Sequence, residues 1–207
     1  MALLDLVAAD PRTLGQLVEG SGFSRATTHR LASGLEAHGL LRRDHEGRYA
    51  LGVRLIGLGA AATQGLPLAA AAAPALAELR DRTGESVQLY VRRGDRRLCV
   101  AALESLHGLR TIVHPGDELT MEAGSAATAL TVAASPPGPG WVASVGEREA
   151  GVASVSAPVS DRERVVAAVS VSGPIERTTR EPGERYGPAV LAAARRIESD
   201  AGLVRSP

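Results

Sequence analysis

Between Ser24 and His38, polar and apolar residues recur at helical spacing. Placed at roughly 100° per residue, Thr28, Leu31 and Leu35 gather on one side of a helix. Ala26, His29, Arg30 and Ser33 fall on the other, with Arg25 near the N-terminal end and Ser24 positioned as its cap. A helix that buries leucine and presents Arg, His and Ser suits the major groove of duplex DNA. Arginine makes bidentate bonds to guanine, and a serine hydroxyl bonds bases or phosphate. Thr27 and Thr28 are placed to bond phosphate. Arg42, Arg43, His45 and Arg48 follow within a dozen residues, in a stretch that reads as a hairpin. Cations there straddle the backbone or enter the minor groove. The plainer alternative is an amphipathic helix with a solvated polar face.

A second constellation lies at Gly124-Ser125-Ala126. At a predicted helix start, free backbone N–H groups and the positive end of the helix dipole suit a carboxylate, and Ser125 adds a hydroxyl. Met121 and Ala123 are expected to supply apolar wall, and Cys99 to face the same cavity from a strand. Glu147 is placed to receive polar or amino groups of a ligand. The competing readings are an ordinary serine cap before an alanine-rich helix, and an acid at 147 paired with one of the many arginines.

Other chemistry finds little support. There is no Gly-x-Ser-x-Gly elbow, phosphate loop or His-Glu-x-x-His. One cysteine and no lysine leave thiol catalysis a single candidate and Schiff-base catalysis none. Cys99 reads as a small core residue, and His107 and His114 are the only further metal candidates near it. We therefore expect no enzymatic activity, metal or cofactor. The 207 residues carry 23 basic and 23 acidic side chains, so bulk attraction to a polyanion is weak. Residues 1–60 hold seven arginines against six acids. Specific contacts must dominate, and one copy would bind weakly. This predicts a homodimer reading two half-sites on double-stranded DNA. The N-terminus lacks a basic, apolar leader, and the apolar run 66–76 is too short to span a bilayer. A cytoplasmic protein without a membrane partner is expected.

The elements needed to position these residues can be read from the pattern. Leu3, Leu6 and Val7 mark a first helix ending at Asp10-Pro11; Thr13 with Gln16 is a capping box for a second; Gly20-Ser21-Gly22 breaks the chain, with Phe23 expected to plug the corner. The helix from Ser24 closes at Gly39, and residues 40–51 form the hairpin. Three helices and a hairpin in about fifty residues describe a winged helix-turn-helix. A linker helix follows over 53–65, and a longer one from Pro67 to Thr83. The strands expected next are 86–92, 97–103, 109–114, 152–159 and 165–173. A small-residue helix runs from Gly124 to about Ala133, and a terminal one from Pro182 to Asp200. The expected class is α+β, with a DNA-binding domain over 1–52, the linker over 53–65, and a sensor-like domain over 66–207.

The sequence resembles the IclR family of bacterial transcription regulators. The resemblance rests on Ser24-Arg25-Ala26-Thr27-Thr28-His29-Arg30-Leu31, Leu35–Leu41 and Tyr49–Gly52, then on 79–87, 120–126, 147–159 and 167–174. The last two runs look similar to an actinobacterial branch linked to leucine and amino-acid metabolism. The resemblance implies a linker helix used in dimerisation and an effector-binding domain of GAF-like or profilin-like topology. It further implies a small-molecule effector, a carboxylate or amino acid, and a dimer or tetramer acting as repressor or activator. The family usually carries some thirty more residues between the helix after Gly124 and the segment holding Trp141. Here only Ala133–Gly140, rich in Pro and Gly, fills the gap. The expected sensor domain is thus shortened, and a DNA-binding module with a ligand-independent sensor is the alternative.

Overall fold

The computed structural model describes residues 1–64, 67–132, 138–162 and 164–203. Of the expected Pro- and Gly-rich segment 133–140, residues 133–137 lie outside them. The chain divides into two compact units, Met1–Gly65 and Leu66–Pro207.

In the first unit, α1 (Ala2–Ala8), α2 (Leu14–Ser21) and α3 (Arg25–Ala37) precede the hairpin strands β1 (Leu41–Arg43) and β2 (Tyr49–Leu51), then α4 (Arg54–Gln64). The capping box forms at Thr13, whose hydroxyl accepts from the Gln16 N–H while its own N–H donates to Gln16 Oε1 at 2.9 Å. The break expected over Gly20-Ser21-Gly22 falls at Gly22 alone, since α2 runs through Ser21; Gly22 ends it with φ +69°, a conformation costly for any side chain with a Cβ. Leu3, Leu4, Val7, Leu17, Ala32, Leu41 and Tyr49 bury into one core. Phe23 does not join it. It is 42% exposed, because the left-handed turn at Gly22 already closes the corner and carries the next residue outward.

The second unit is built on a six-stranded antiparallel sheet in the order β5-β4-β3-β8-β7-β6. Its strands are β3 (Ser86–Arg93), β4 (Arg96–Leu103), β5 (Glu118–Thr120), β6 (Val142–Val145), β7 (Val152–Asp161) and β8 (Arg164–Pro174). α5 (Pro67–Thr83) and α8 (Pro182–Asp200) cover one face, with Val87, Leu89, Val155, Val169 and Val171 meeting Leu76, Leu79, Val190 and Ile197. Alternation along each strand therefore sends a second set of residues to the opposite face. There Tyr90, Cys99 and Ala168 pack under the short α6 (Ser125–Ala129). A further turn of helix, α7 (Ile175–Thr178), follows β8.

Two expectations are corrected here. Residues 109–114 are not a strand. The Thr111 carbonyl accepts from Ser86 Oγ at 2.7 Å and the Leu109 carbonyl from Arg177 at 2.8 Å, so side chains take the acceptors a neighbouring strand would need. The edge position belongs to Glu118–Thr120, paired with Arg96–Leu98. The small-residue helix is also shorter than expected: α6 is five residues long and gives way to a turn at Leu130.

Candidate functional sites

Ser24 caps α3, its Oγ accepting from the Thr27 N–H at 3.3 Å. Thr28 and Ala32 are fully buried and Leu35 is half-buried. That face fixes the helix and turns Arg25, Ala26, His29 and Arg30 to solvent, with Thr27 and Ser33 half-buried beside them. Two expected roles change. Leu31 lies at the edge of the buried face and is 42% exposed, so Ala32 takes the place expected of a leucine. Thr28 is sealed in the core, its hydroxyl donating to the Ser24 carbonyl at 3.0 Å, and cannot reach a phosphate.

The wing is held together by its own charges. Arg43 stacks 3.4 Å from the Tyr49 ring centroid, donates to the Gly47 carbonyl at 2.8 Å and pairs with Glu36 at 3.5 Å. Arg48 pairs with Asp44 at 2.9 Å and Glu46 at 3.0 Å, and His45 lies 3.4 Å from Glu46. Burial alone would raise the Asp44 carboxyl, but hydrogen bonds from the Arg48 side chain and from the Arg48 and Glu46 N–H groups hold it below the usual carboxylate range. The cations expected to straddle DNA at 43 and 48 thus already have partners, Arg43 in Glu36 of α3 and Arg48 in two acids of the hairpin. Among the described residues, no acid pairs with Arg25, Arg30 or Arg42.

On the open face of the sheet, the register sets serines side by side. Ser154 faces Ser172, Ser156 faces Ser170, and Ser144 of β6 faces Ser154. The hydroxyls of Ser144, Ser154, Ser156 and Ser170 form one chain with Ser125. Ser125 Oγ lies 2.7 Å from Ser154 Oγ and 2.8 Å from Ser156 Oγ, Ser144 lies 3.0 Å from Ser154, and Ser156 donates to Ser170 at 2.9 Å. Gln88 receives Ser172 at 3.1 Å. All of these except Ser156 line a chamber with Tyr90, Arg97, Gly124, Ala126, Arg148 and Val152. It encloses about 20 Å³, room for about one water molecule.

Arg97 dominates the chamber electrostatically. It is 3% exposed and donates to the Thr120 and Ala123 carbonyls, while its Nε finds no acceptor. Among the described residues no carboxylate lies within ion-pairing distance of it. Burial lowers its pKa, Tyr90 opposes that shift in part, and the neighbouring Arg148 adds a smaller lowering. Burial likewise raises the Tyr90 phenol. A buried guanidinium without a counter-charge is costly, and a ligand carrying negative charge lowers that cost.

Of the effector residues expected from the sequence, Gly124, Ser125 and Ala126 line this chamber, whereas Cys99, Met121, Ala123 and Glu147 do not. Cys99 is packed with Val113, Ala129 and Leu130, and burial pushes its thiol up to about 12. Met121 packs at the edge of the same cluster, and Ala123 contributes only its carbonyl, to Arg97. The N–H groups expected to be free are occupied: Gly124 N–H donates to Glu147 Oε2 at 3.0 Å and Ser125 N–H to Ser144 Oγ at 3.1 Å. Sequence reading missed Gln88, Arg97, Ser144, Arg148 and the serine ladder. The ladder did leave a signal, since Ser154/Ser156 and Ser170/Ser172 stand two apart in valine-rich runs and so share one strand face.

Comparison with known proteins places these two sites in context. Residues 1–45 match the model of the IclR helix-turn-helix domain, and residues 60–137 and 138–199 match that of the bacterial transcriptional regulator IclR C-terminal domain. The chain belongs to the IclR family. Glycerol operon regulatory proteins of Streptomyces coelicolor and Streptomyces griseus are 30% and 28% identical to this IclR regulator, over 99% of the chain and 95% of each relative. The regulator KipR of Bacillus subtilis is 33% identical over 63% of the chain, a match spanning 52% of KipR. Among solved structures, an IclR regulator from Alicyclobacillus acidocaldarius superimposes with TM-score 0.81 at 23% identity, covering 97% of this chain and 96% of that one. An IclR homolog of Microbacterium hydrocarbonoxydans complexed with 4-hydroxybenzoate gives 0.80 at 22% identity, covering 98% and 99%. The alignment to the S. griseus relative extends over 244 positions, more than this IclR chain's 207 residues, so several dozen of them have no counterpart here. The C-terminal match is interrupted between residues 137 and 138.

Proposed function

We propose that this IclR-family regulator is a cytoplasmic homodimer that reads an operator through α3 and adjusts its hold on DNA when a small anionic metabolite enters the serine-lined chamber. The reading assigns it no catalytic step. The observation that carries it is the edge of α3, where Arg25, His29 and Arg30 are exposed while Thr28, Ala32 and Leu35 anchor the helix from behind. Arg30 and Arg25 take guanine or phosphate, Ala26 allows close approach to the groove, and Arg42 takes the flanking backbone. Val53 (73% exposed) and Ile56 (75%), with Leu58, give α4 and its entry an apolar surface that suits a second copy, as does the need for two half-sites.

The chamber narrows the effector class. Its hydroxyls and two guanidiniums favour a small carboxylate, and Ala126 and Val152 offer little wall for a leucine-like side chain, so a carboxylate is preferred over the amino acids of the actinobacterial leucine branch. The 4-hydroxybenzoate bound by the Microbacterium relative supports ligand sensing in this family's fold. A ligand-independent sensor is the second reading, favoured by a chamber with room for about one water and by the interruption at 137/138.

The test is fluorescence anisotropy on the protein's own upstream DNA, followed by thermal shift against small carboxylates. Arg30→Ala is expected to weaken operator binding by ~1–3 kcal/mol and relax preference at one base position. A carboxylate that binds is expected to raise Tm with dose. Unchanged operator affinity in Arg30→Ala removes α3 from the interface, and a flat thermal panel selects the ligand-independent reading.

A further inference from the structure

We propose that Glu147 is an internal stand-in for the effector's anionic group, which must vacate the Gly124 N–H before the effector can bind. The inference rests on the chamber being the effector site and adds how that site is closed. Three observations converge on it. The chamber as it stands has room for about one water molecule. Among the described residues, Arg97, buried in its wall, has no carboxylate within ion-pairing distance, so negative charge is what the chamber calls for. Glu147 nevertheless spends its carboxylate just beside this deficit, on the buried Gly124 N–H at 3.0 Å. The Arg97 guanidinium reaches within 3.4 Å of where a Gly124 Cβ would stand, so an anion taking the Gly124 N–H also comes close to that charge.

Glu147 is well placed to leave. It belongs to an exposed segment bounded by Gly146 and Gly151, whose φ of +69° and +83° are accessible to glycine at little cost. Beyond the adjoining residues, no atom of the described residues lies within 4 Å of a Cβ added at either, so the segment has open space on both flanks. Arg148 follows Glu147 directly and lines the same chamber, so its charge shifts with that movement. An effector carboxylate thus exchanges one acceptor for another at Gly124 and gains the attraction of Arg97, which the stand-in does not meet at ion-pairing distance. The apparent affinity is reduced by the fraction of molecules in which Glu147 still occupies the position.

The test is calorimetric titration of wild type, Glu147→Gln and Glu147→Ala with glycolate, glycerate and 4-hydroxybenzoate, with amide hydrogen exchange read at Gly124. Loss of the internal competitor is expected to tighten binding about tenfold in Glu147→Ala, with a smaller gain in Glu147→Gln. Gly124 exchange is expected to quicken in free Glu147→Ala and to slow again when the acid is added. Equal or weaker binding in Glu147→Ala overturns the proposal alone and makes Glu147 a direct effector contact. Binding of none of the three acids to any of the proteins overturns the chamber reading and this proposal with it. Tighter binding without renewed protection at Gly124 also overturns the stand-in role.

Discussion

Trp141, the single tryptophan, is seated where two glycines of α8 leave room for its ring. A Cβ at Gly183 would stand 2.1 Å from one ring carbon, and a Cβ at Gly187 2.4 Å from the indole nitrogen. Gly187→Ala is therefore expected to cost ~1–3 kcal/mol by overpacking and to shift the tryptophan emission toward that of a wetter ring. Chemical denaturation followed by fluorescence checks both at once. Glu85 offers a second residue-scale case. Its carboxylate is buried and receives two bonds from Arg177, at 2.7 and 2.8 Å, and the same guanidinium holds the Leu109 carbonyl. Arg177→Met leaves that acid buried without its partner, an expected loss of ~3–5 kcal/mol measured by calorimetric unfolding. Neither arrangement was legible in the sequence. Gly183 and Gly187 stand one helical turn apart and gain meaning only once β6 brings Trp141 to them, and Glu85 and Arg177 meet across more than ninety residues.

At the scale of elements, local signals survived and long-range ones did not. The capping box at Thr13, the serine cap at Ser24 and the left-handed glycines at 22 and 39 are short-range chemistry, and each appears where the spacing put it. The alternation over 109–114 misled because period-two patterning says nothing of whether a neighbouring strand is free to pair. The buried face of α3 was misjudged at Leu31 because helical spacing fixes a face's width but not its centre, and the close fit of Ala32 moved that centre. The serine ladder was visible as spacing but only the register of β6, β7 and β8 turned it into a chamber. The wing gives this scale its prediction. Because the folded-state pKa of Asp44 is depressed, its contribution is present above the unfolded carboxylate pKa and is lost as pH falls through the lower folded value. Exchange of the Glu46 and Arg48 amides is expected to quicken over that acid range relative to neighbouring hairpin amides. In Asp44→Asn this pH dependence is expected to flatten, which amide exchange resolved by NMR tests directly.

At the scale of the whole molecule, the proposed dimer predicts that Ile56→Glu places a charge in an apolar contact and leaves monomers. Sedimentation should report a halved mass, and the operator titration should shift to higher concentration while each α3 stays folded. The charge layout bears on a different property of the same complex. With Arg43 paired to Glu36, and Arg48 to Asp44 and Glu46, the arginines of the proposed interface left to displace condensed cations from the duplex are Arg25, Arg30 and Arg42. A logarithmic salt slope of about three per protomer is expected, since each neutralised phosphate releases roughly 0.9 of a counterion. Such a regulator forfeits much of the indiscriminate grip that basic proteins have on any stretch of chromosome. Its occupancy then tracks base sequence more closely than the ionic strength of the cell.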